Sequence, residues 1–184
     1  MLISNKIFAI VFTPIFVFLS IMPMHLSAGA EFTEEEINVL QSQYVHELLT
    51  NKENAKQITC LAKAMYFEAS GESYEGRKAV GQVVMNRVHN YRYPKSICGV
   101  VYQTTKNNDK ETVYQFSWTN STPKITNNYV WNQCIQIAQK ALTNNVLHDK
   151  LAKLNALYFH EIHVKPDWKN YRKVMQIGNH IFYR

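Results

Sequence analysis

Glu68 occupies a position that asks for a chemical explanation. At 100° per residue, its seven-position offset from Leu61 leaves it about 20° from the direction of that apolar residue on a helix. It therefore falls within the apolar stripe of Ile58, Leu61, Ala62, Met65 and Ala69. A carboxylate on such a face is costly unless it is paired or protonated. Desolvation raises a carboxyl pKa, so Glu68 suits a group that stays protonated near neutrality and donates its proton to a leaving oxygen, the role of a general acid. The alternative for a Glu so close to a helix end is a solvated side chain or a backbone cap. Glu72 follows four residues later, but Gly71 intervenes as a helix stop, so the spacing does not establish a carboxylate pair. Glu75, Asp109 and Glu111 read as solvated acids at a helix start or in a polar loop.

Two further segments carry chemistry. Gln115-Phe116-Ser117-Trp118 sets amide and hydroxyl hydrogen-bonding groups beside aromatic faces, which suits ligands with polar edges and apolar faces such as sugar rings. An ordinary amphipathic strand has the same composition. Tyr158 and His160 alternate with Leu157 and Phe159, so one pair faces a core and the other a cleft or solvent. The run His160-Glu161-Ile162-His163 offers an alternative, metal-dependent chemistry. Zinc-binding HExxH, however, needs histidines at i and i+4 on one helical face, and here the spacing is i+3 in a strand-like context. No metal and no cofactor is expected.

The elements that must position these groups are mainly helical. Thr33 followed by Glu36 is a capping-box start, and Ile37, Leu40, Tyr44 and Leu48 recur at helical spacing before the polar stretch 50–54. A core-facing helix runs from Ile58 to a stop at Gly71. Ser73 caps the next helix, whose buried face is Ala79, Val80, Val83, Val84 and Val88 and which ends near Asn90. Ser96 caps a short helix, residues 104–112 form a polar excursion, and 113–118 have strand-like composition. A long helix covers about 129–144. Ala156 to His160 reads as a strand, and Val174–Ile177 and His180–Tyr183 flank Gly178-Asn179 as a hairpin. A mainly helical α+β domain with a small antiparallel sheet is the expected fold.

Composition bounds the class. The chain has 184 residues, 46% hydrophobic and 18% charged, enough for one core and too few for two comfortable ones. A formal charge of +6 suits an anionic partner such as nucleic acid, an acidic membrane face or a cell-wall polymer, but there is no RNP, zinc-knuckle or helix-turn-helix pattern for nucleic acid. A non-catalytic, basic wall-binding module is compatible with the charge. Lys6 precedes the apolar run 7–21, and Ala28-Gly29-Ala30 offers small residues for cleavage, so 1–30 reads as an export signal. The run is short for a membrane span. The expected organisation is a signal at 1–30, a leader helix and linker at 31–57 and a catalytic domain at 58–184, exported to periplasm, cell wall or medium and not stably inserted in a membrane after signal cleavage; an uncleaved anchor is the alternative reading of 1–30.

Several separate stretches, in one order, resemble the SleB/CwlJ type of cell-wall hydrolase, the spore-cortex-lytic family. They are Cys60-Leu61-Ala62, Tyr66-Phe67-Glu68-Ala69-Ser70-Gly71-Glu72, Val83-Val84-Met85-Asn86-Arg87-Val88, Ile97-Cys98-Gly99-Val100-Val101-Tyr102-Gln103, Gln115-Phe116-Ser117-Trp118, Ala156-Leu157-Tyr158-Phe159-His160, Pro166-Asp167-Trp168 and Ile177-Gly178-Asn179-His180-Ile181-Phe182-Tyr183. The resemblance covers roughly 58–184. It implies a lysozyme-like single domain, monomeric, acting on peptidoglycan glycan strands between N-acetylmuramic acid and N-acetylglucosamine. Glu68 is then the acid, and Glu72, Gln115, Phe116, Ser117, Trp118, Tyr158 and His160 are substrate-binding. With one acid and no fixed carboxylate partner, a lytic transglycosylase route fits. Two departures from the family pattern stand out: Ser70 replaces the usual Arg, leaving no cation assigned beside Glu68, and no Cys pair flanks Gln115–Ser117.

Of the three cysteines, Cys60, Cys98 and Cys134, at most two can bridge within one chain. The family resemblance brings the helices bearing Cys60 and Cys98 to one core and makes them the expected pair. Thiol titration of the denatured, unreduced protein should find one free thiol per chain; three would remove the bridge.

Overall fold

A computed structural model describes residues 33–121, 123–144, 146–166 and 170–184. The export segment 1–30, and Asp167 and Trp168 of the family-like motifs, lie outside the described residues. The chain divides into two units, Met1–Leu48 and Leu49–Arg184. The described part of the first is most of helix α1 (Glu34–Thr50), which has no buried residue. Its start is the capping box read from sequence: Glu36 N–H donates to Thr33 Oγ1 at 3.3 Å, and Thr33 N–H donates to Glu36 Oε2 at 2.9 Å.

The second unit is built on helices α2 (Lys52–Ala69), α3 (Tyr74–His89) and α5 (Asn128–Asn144), with short helices α4 (Ile97–Val101) and α6 (Asp149–Lys153). α2 begins six residues before Ile58. Asn51 Oδ1 accepts from the Glu53 and Asn54 N–H groups, so the polar stretch is the helix cap. The helix ends on Ser70 in the right-handed region, so the chain leaves it at Gly71 as expected, there without a positive φ. Ser73 and Ser96 cap α3 and α4 as expected. The apolar stripes of α2, α3 and α5 meet in a core of Leu61, Ala62, Met65, Val84, Ile137, Ala138 and Ala141, all but unexposed. A disulfide from Cys60 to Cys98 ties α2 to α4, and Cys134 is a buried free thiol whose burial pushes its pKa up to about 11.

The polar excursion is a hairpin of β1 (Thr104–Lys106) and β2 (Thr112–Tyr114), turned by Lys110 at φ 62°. Every strand position but one is exposed, so no apolar alternation marks it in sequence. The strand expected over 113–118 stops at Tyr114, and Ser117–Asn120 forms a 3-10 turn. A second sheet orders β3 (Tyr158–Glu161), β5 (His180–Tyr183) and β4 (Lys173–Ile177), all antiparallel. Its Phe182 packs with Ala79, Val83, Leu151 and Ala156 against α3.

A polar stripe on α3 fixes the path into that sheet. Gln82, Asn86 and Arg87 are all at most 8% exposed. Gln82 Oε1 accepts from Leu147 N–H at 2.6 Å and His148 N–H at 3.0 Å, and Gln82 Nε2 donates to Asn86 Oδ1 at 3.0 Å. Asn86 Nδ2 donates to the Leu151 and Ala156 carbonyls at 3.0 and 2.8 Å, and Arg87 Nε donates to the Leu157 carbonyl at 2.8 Å. Asn86→Ala orphans the Ala156 carbonyl and the Gln82 amide, each at about 1–3 kcal/mol, while the Leu151 carbonyl keeps the Ala156 N–H. Urea unfolding should show a loss of about 2–4 kcal/mol with an unchanged slope; a loss below about 1 kcal/mol would mean that solvent reaches these groups.

Candidate active site

Glu68 stands in the last turn of α2, partly exposed, among groups from three other elements. Burial is the strongest influence and raises its pKa from 4.5 to about 7. Next in size is the Trp118 indole N–H, from the 3-10 turn, which favours the carboxylate. The contact falls short of a well-formed hydrogen bond, since Trp118 Nε1 is buried with no partner of good geometry. The Arg87 charge also favours the carboxylate, and the Glu161 charge at the end of β3 opposes it. The acid side chain thus has a buried cation beside it from α3, a role that the replacement by Ser70 had left empty in the sequence reading.

Arg87 is 3% exposed and, among the described residues, has no acidic partner at contact distance. Its Cζ lies 5.5 Å from the Tyr93 ring centroid, 5.7 Å from Phe116 and 6.0 Å from Tyr158, a cation–π enclosure. Burial draws its pKa down from its ordinary value. Among the described residues its Nη1 and Trp118 Nε1 are two buried donors without a hydrogen-bond partner, the kind of unsatisfied group that a ligand's oxygen completes.

The other residues read from sequence divide. Trp118 is half-buried, with its ring 4.9 Å from Phe67 and 6.0 Å from Tyr102. Gln115 and Ser117 are exposed on either side of Phe116. Phe116 itself is 3% exposed and packs under Arg87, so it is core and not a ligand platform. Phe116 is extended, just before the 3-10 turn, and extended-chain alternation turns it inward between exposed Gln115 and Ser117. Tyr158 lies against Arg87 and meets Tyr171 at 4.4 Å between ring centroids.

His160 is engaged within its own sheet. In β3, Phe159 and Glu161 share a face with their register partners Phe182 and His180, while Tyr158 and His160 share the other with Tyr183 and Ile181. The two His160 ring nitrogens lie 2.7 Å from the Glu161 carbonyl and 3.0 Å from Tyr183 Oη, and its ring stacks on Tyr183. This is structural bonding, and it leaves the His160/His163 metal reading without a ligand set. Among the described residues no three His, Cys, Asp or Glu come together in a metal-holding group. Glu72 is occupied as well: its Oε2 accepts from Asn179 N–H at 3.2 Å and lies where a Cβ on Gly178, at φ 55°, would stand. Its carboxylate latches the β4–β5 turn. Arg87 and Glu161 were missed from sequence as site residues. A buried Arg within an apolar helical face, at position 87 beside Val84 and Val88, was the available signal for the first; strand alternation from Phe159 was the signal for the second.

The raised carboxyl has a thermodynamic consequence. Its folded pKa of about 7 exceeds the unfolded 4.5, so its contribution to stability is complete below pH 4.5 and lost as the pH rises through 7. Glu68→Gln removes that loss. The variant should be more stable than the parent at pH 8, by at most on the order of 3 kcal/mol, with the difference shrinking toward pH 5 in urea unfolding. Equal pH dependence of the two proteins would mean that Glu68 is solvated.

The sequence profile of the family described as Cell Wall Hydrolase matches residues 71–183 and begins just after Glu68. The spore cortex-lytic enzyme of Bacillus subtilis (strain 168) is 44% identical over 46 residues, 25% of this chain and 15% of that protein. The enzyme of the same name from Bacillus cereus (strain ATCC 14579) is 36% identical over 53 residues, 29% of this chain and 20% of that protein. These matches therefore span a fifth or less of the relatives' own length. The catalytic domain of the Bacillus cereus SleB protein has the same fold, with a TM-score of 0.52 at 24% identity over 72% of this chain and 91% of that one. So does the catalytic domain of the germination-specific lytic transglycosylase SleB from Bacillus anthracis, with a TM-score of 0.52 at 23% identity over 73% and 98%. The mainly helical, lysozyme-like architecture expected from sequence is the one found. With the family profile running through α3, the 3-10 turn and the whole second sheet, the chain belongs to the cell wall hydrolase family.

Proposed function

We propose that this chain is an exported peptidoglycan glycosidase that cleaves between N-acetylmuramic acid and N-acetylglucosamine as a lytic transglycosylase, with Glu68 as its general acid and base. The observation that carries the reading is the partly buried Glu68 carboxyl with its pKa raised to about 7. A group at that value holds its proton for donation and, once ionised, is basic enough to take one back. The relatives named as cortex-lytic enzymes and as a lytic transglycosylase supply the substrate class.

In the first half-reaction the protonated Glu68 gives its proton to the glycosidic oxygen as the bond to muramoyl C1 breaks, and positive charge develops on the sugar ring. In the second, the Glu68 carboxylate takes the proton of the muramoyl C6 hydroxyl as that oxygen bonds to C1 and closes a 1,6-anhydro ring. The proton count returns to its start and no water is consumed. Arg87 and the Trp118 N–H favour the carboxylate between the two halves. Trp118, Tyr158, Gln115 and Ser117 are the substrate contacts in this reading, as sugar-facing ring and polar groups. Glu72 serves by holding the hairpin turn. The export segment at 1–30 and a monomeric state belong to the same proposal, with no nucleic-acid partner. Among the described residues no helix is long and apolar enough to cross a membrane.

Glu68→Gln keeps shape and hydrogen bonding but transfers no proton. Its cleavage of purified peptidoglycan should fall by at least about 10² to 10⁴, while Glu72→Gln and Glu75→Gln keep far more activity. Mass spectrometry of the released fragments should find 1,6-anhydro-N-acetylmuramic ends, and EDTA should leave the rate unchanged. Reducing muramic ends would replace transglycosylation by hydrolysis. Full activity in Glu68→Gln would remove the assignment altogether.

A further inference from the structure

Tyr102 lies outside every role assigned so far. It is the C-cap of α4, and it is 43% exposed. Exposure alone decides nothing, since Tyr91 is 87% exposed and Tyr129 73%. What sets Tyr102 apart is where its ring stands. Its centroid lies 6.0 Å from that of Trp118 with the planes at 72°, the edge-to-face arrangement that aromatic pairs favour. Trp118 in turn lies 4.9 Å from Phe67, the residue before Glu68 on α2. Phe67 and Trp118 are half-buried and pack on the core, whereas Tyr102 stands at the solvent end of the row. The rings of Phe67, Trp118 and Tyr102 thus lead outward from the helical turn that carries the acid.

The backbone around Tyr102 is fixed on both sides. Its N–H donates to the Cys98 carbonyl at 2.9 Å, and the Cys60–Cys98 disulfide ties that turn to α2, the helix of Phe67 and Glu68. On the other side, Gln115 N–H donates to the carbonyl of the next residue, Gln103, at 2.9 Å, which extends the β1–β2 pairing to the foot of the hairpin. Tyr102 is thereby held beside the Gln115–Trp118 segment, where exposed Gln115 and Ser117 offer polar groups. An aromatic ring on a backbone already held costs little to order on binding, because only its own side-chain torsions remain free. A ring with amide and hydroxyl groups beside it matches a pyranose, which has apolar C–H faces and a polar edge.

We propose that Tyr102 is a sugar-binding residue of the groove: its ring stacks on a pyranose of the glycan strand beyond the two sugars that flank the cleaved bond, and carries the site outward from Glu68 past Trp118. The inference deepens the peptidoglycan reading and rests on it for the identity of the polymer. The ring face makes the contact, so the Tyr102 hydroxyl is dispensable. This sugar is away from the bond that breaks, and the contact is made equally in the bound substrate and in the transition state. Its loss therefore raises KM and leaves kcat unchanged.

The test is calorimetry on the full chain carrying Glu68→Gln, so that ligand is bound without being cleaved. The probe is a peptide-free octasaccharide of alternating N-acetylglucosamine and N-acetylmuramic acid. Adding Tyr102→Ala should weaken its binding by about three- to tenfold, the worth of one aromatic stacking contact. Tyr102→Phe and Tyr102→Trp, which keep a ring, should retain most of the affinity. In the chain with Glu68 intact, Tyr102→Ala should raise KM on peptidoglycan by the same factor. Undiminished octasaccharide binding in Tyr102→Ala overturns the proposal and leaves the peptidoglycan reading intact. An equal loss in Tyr102→Phe also overturns it, because the hydroxyl and not the ring would then be the cause. A fall in kcat at unchanged KM overturns the binding role. No binding by the chain with Tyr102 intact overturns the peptidoglycan reading, and this proposal with it.

Discussion

The buried polar stripe of α3 is the constraint on which the rest of the second unit depends. Gln82, Asn86 and Arg87 carry strong donors and acceptors into a buried helix surface that also holds Ala79, Val80, Val83, Val84 and Met85, where an unmade hydrogen bond costs more than a made one contributes. Their partners are backbone groups of residues 147–157, a stretch with one short helix and no long apolar run to fix it. The three side chains act as a template for that stretch and determine where β3 begins. Once β3 is placed, β5 and β4 follow by antiparallel pairing, and the sheet closes against Ala79 and Val83 of the same helix. One helix therefore both builds the wall of the site and supplies the cation beside its acid.

That double use explains how a carboxyl and a guanidinium share a site without neutralising each other's function. A close ion pair would favour ionised Glu68 and depress its pKa by one to three units, which would remove the acid. Arg87 instead spends Nε on the Leu157 carbonyl and lies among three aromatic rings, so it reaches Glu68 through space. The balance at Glu68 is then decided by burial, which outweighs the indole N–H and the guanidinium together and leaves the group near 7. The same arrangement lowers the energy of the carboxylate formed on proton donation, because the two donors that favour it are already in place and need no rearrangement.

Sequence patterning exposed those features of the fold that rest on one element at a time. The stripes of α2, α3 and α5, the Ser73 and Ser96 caps, the Thr33–Glu36 box and the Gly178-Asn179 turn each follow from local spacing or local backbone chemistry. Glu68 was legible for the same reason, as a carboxylate out of place on one helix. What stayed hidden was set by partners distant in sequence. The β1–β2 hairpin has almost no buried face to leave a period, and the 3-10 turn at Ser117–Asn120 was masked by strand-like composition. Arg87 was visible as a member of a motif, but its placement beside Glu68 is a property of two packed helices and the segment 147–157.

The acidic residues show the same division most sharply. Glu72 is four positions from Glu68, which on a continuous helix would make the two neighbours on one face. The helix ends at Ala69, and beyond that point closeness in sequence no longer implies closeness in function. Glu72 turns to the β4–β5 hairpin, where its oxygen meets a backbone N–H 107 positions away, beside a glycine with no side chain to obstruct it. Glu161 is 93 positions from Glu68, in a run whose two histidines suggested metal chemistry, yet strand register puts its side chain on the Phe159 face, at an exposed position, and the His160 side chain on the opposite one. A shift of one residue in that register would exchange them. The second sheet thus does more than close the fold. The β3–β5 pairing, fixed in turn by the Arg87 contact at the entrance of β3, decides which side chains of the strand share the Phe159 face and which the Tyr158 face.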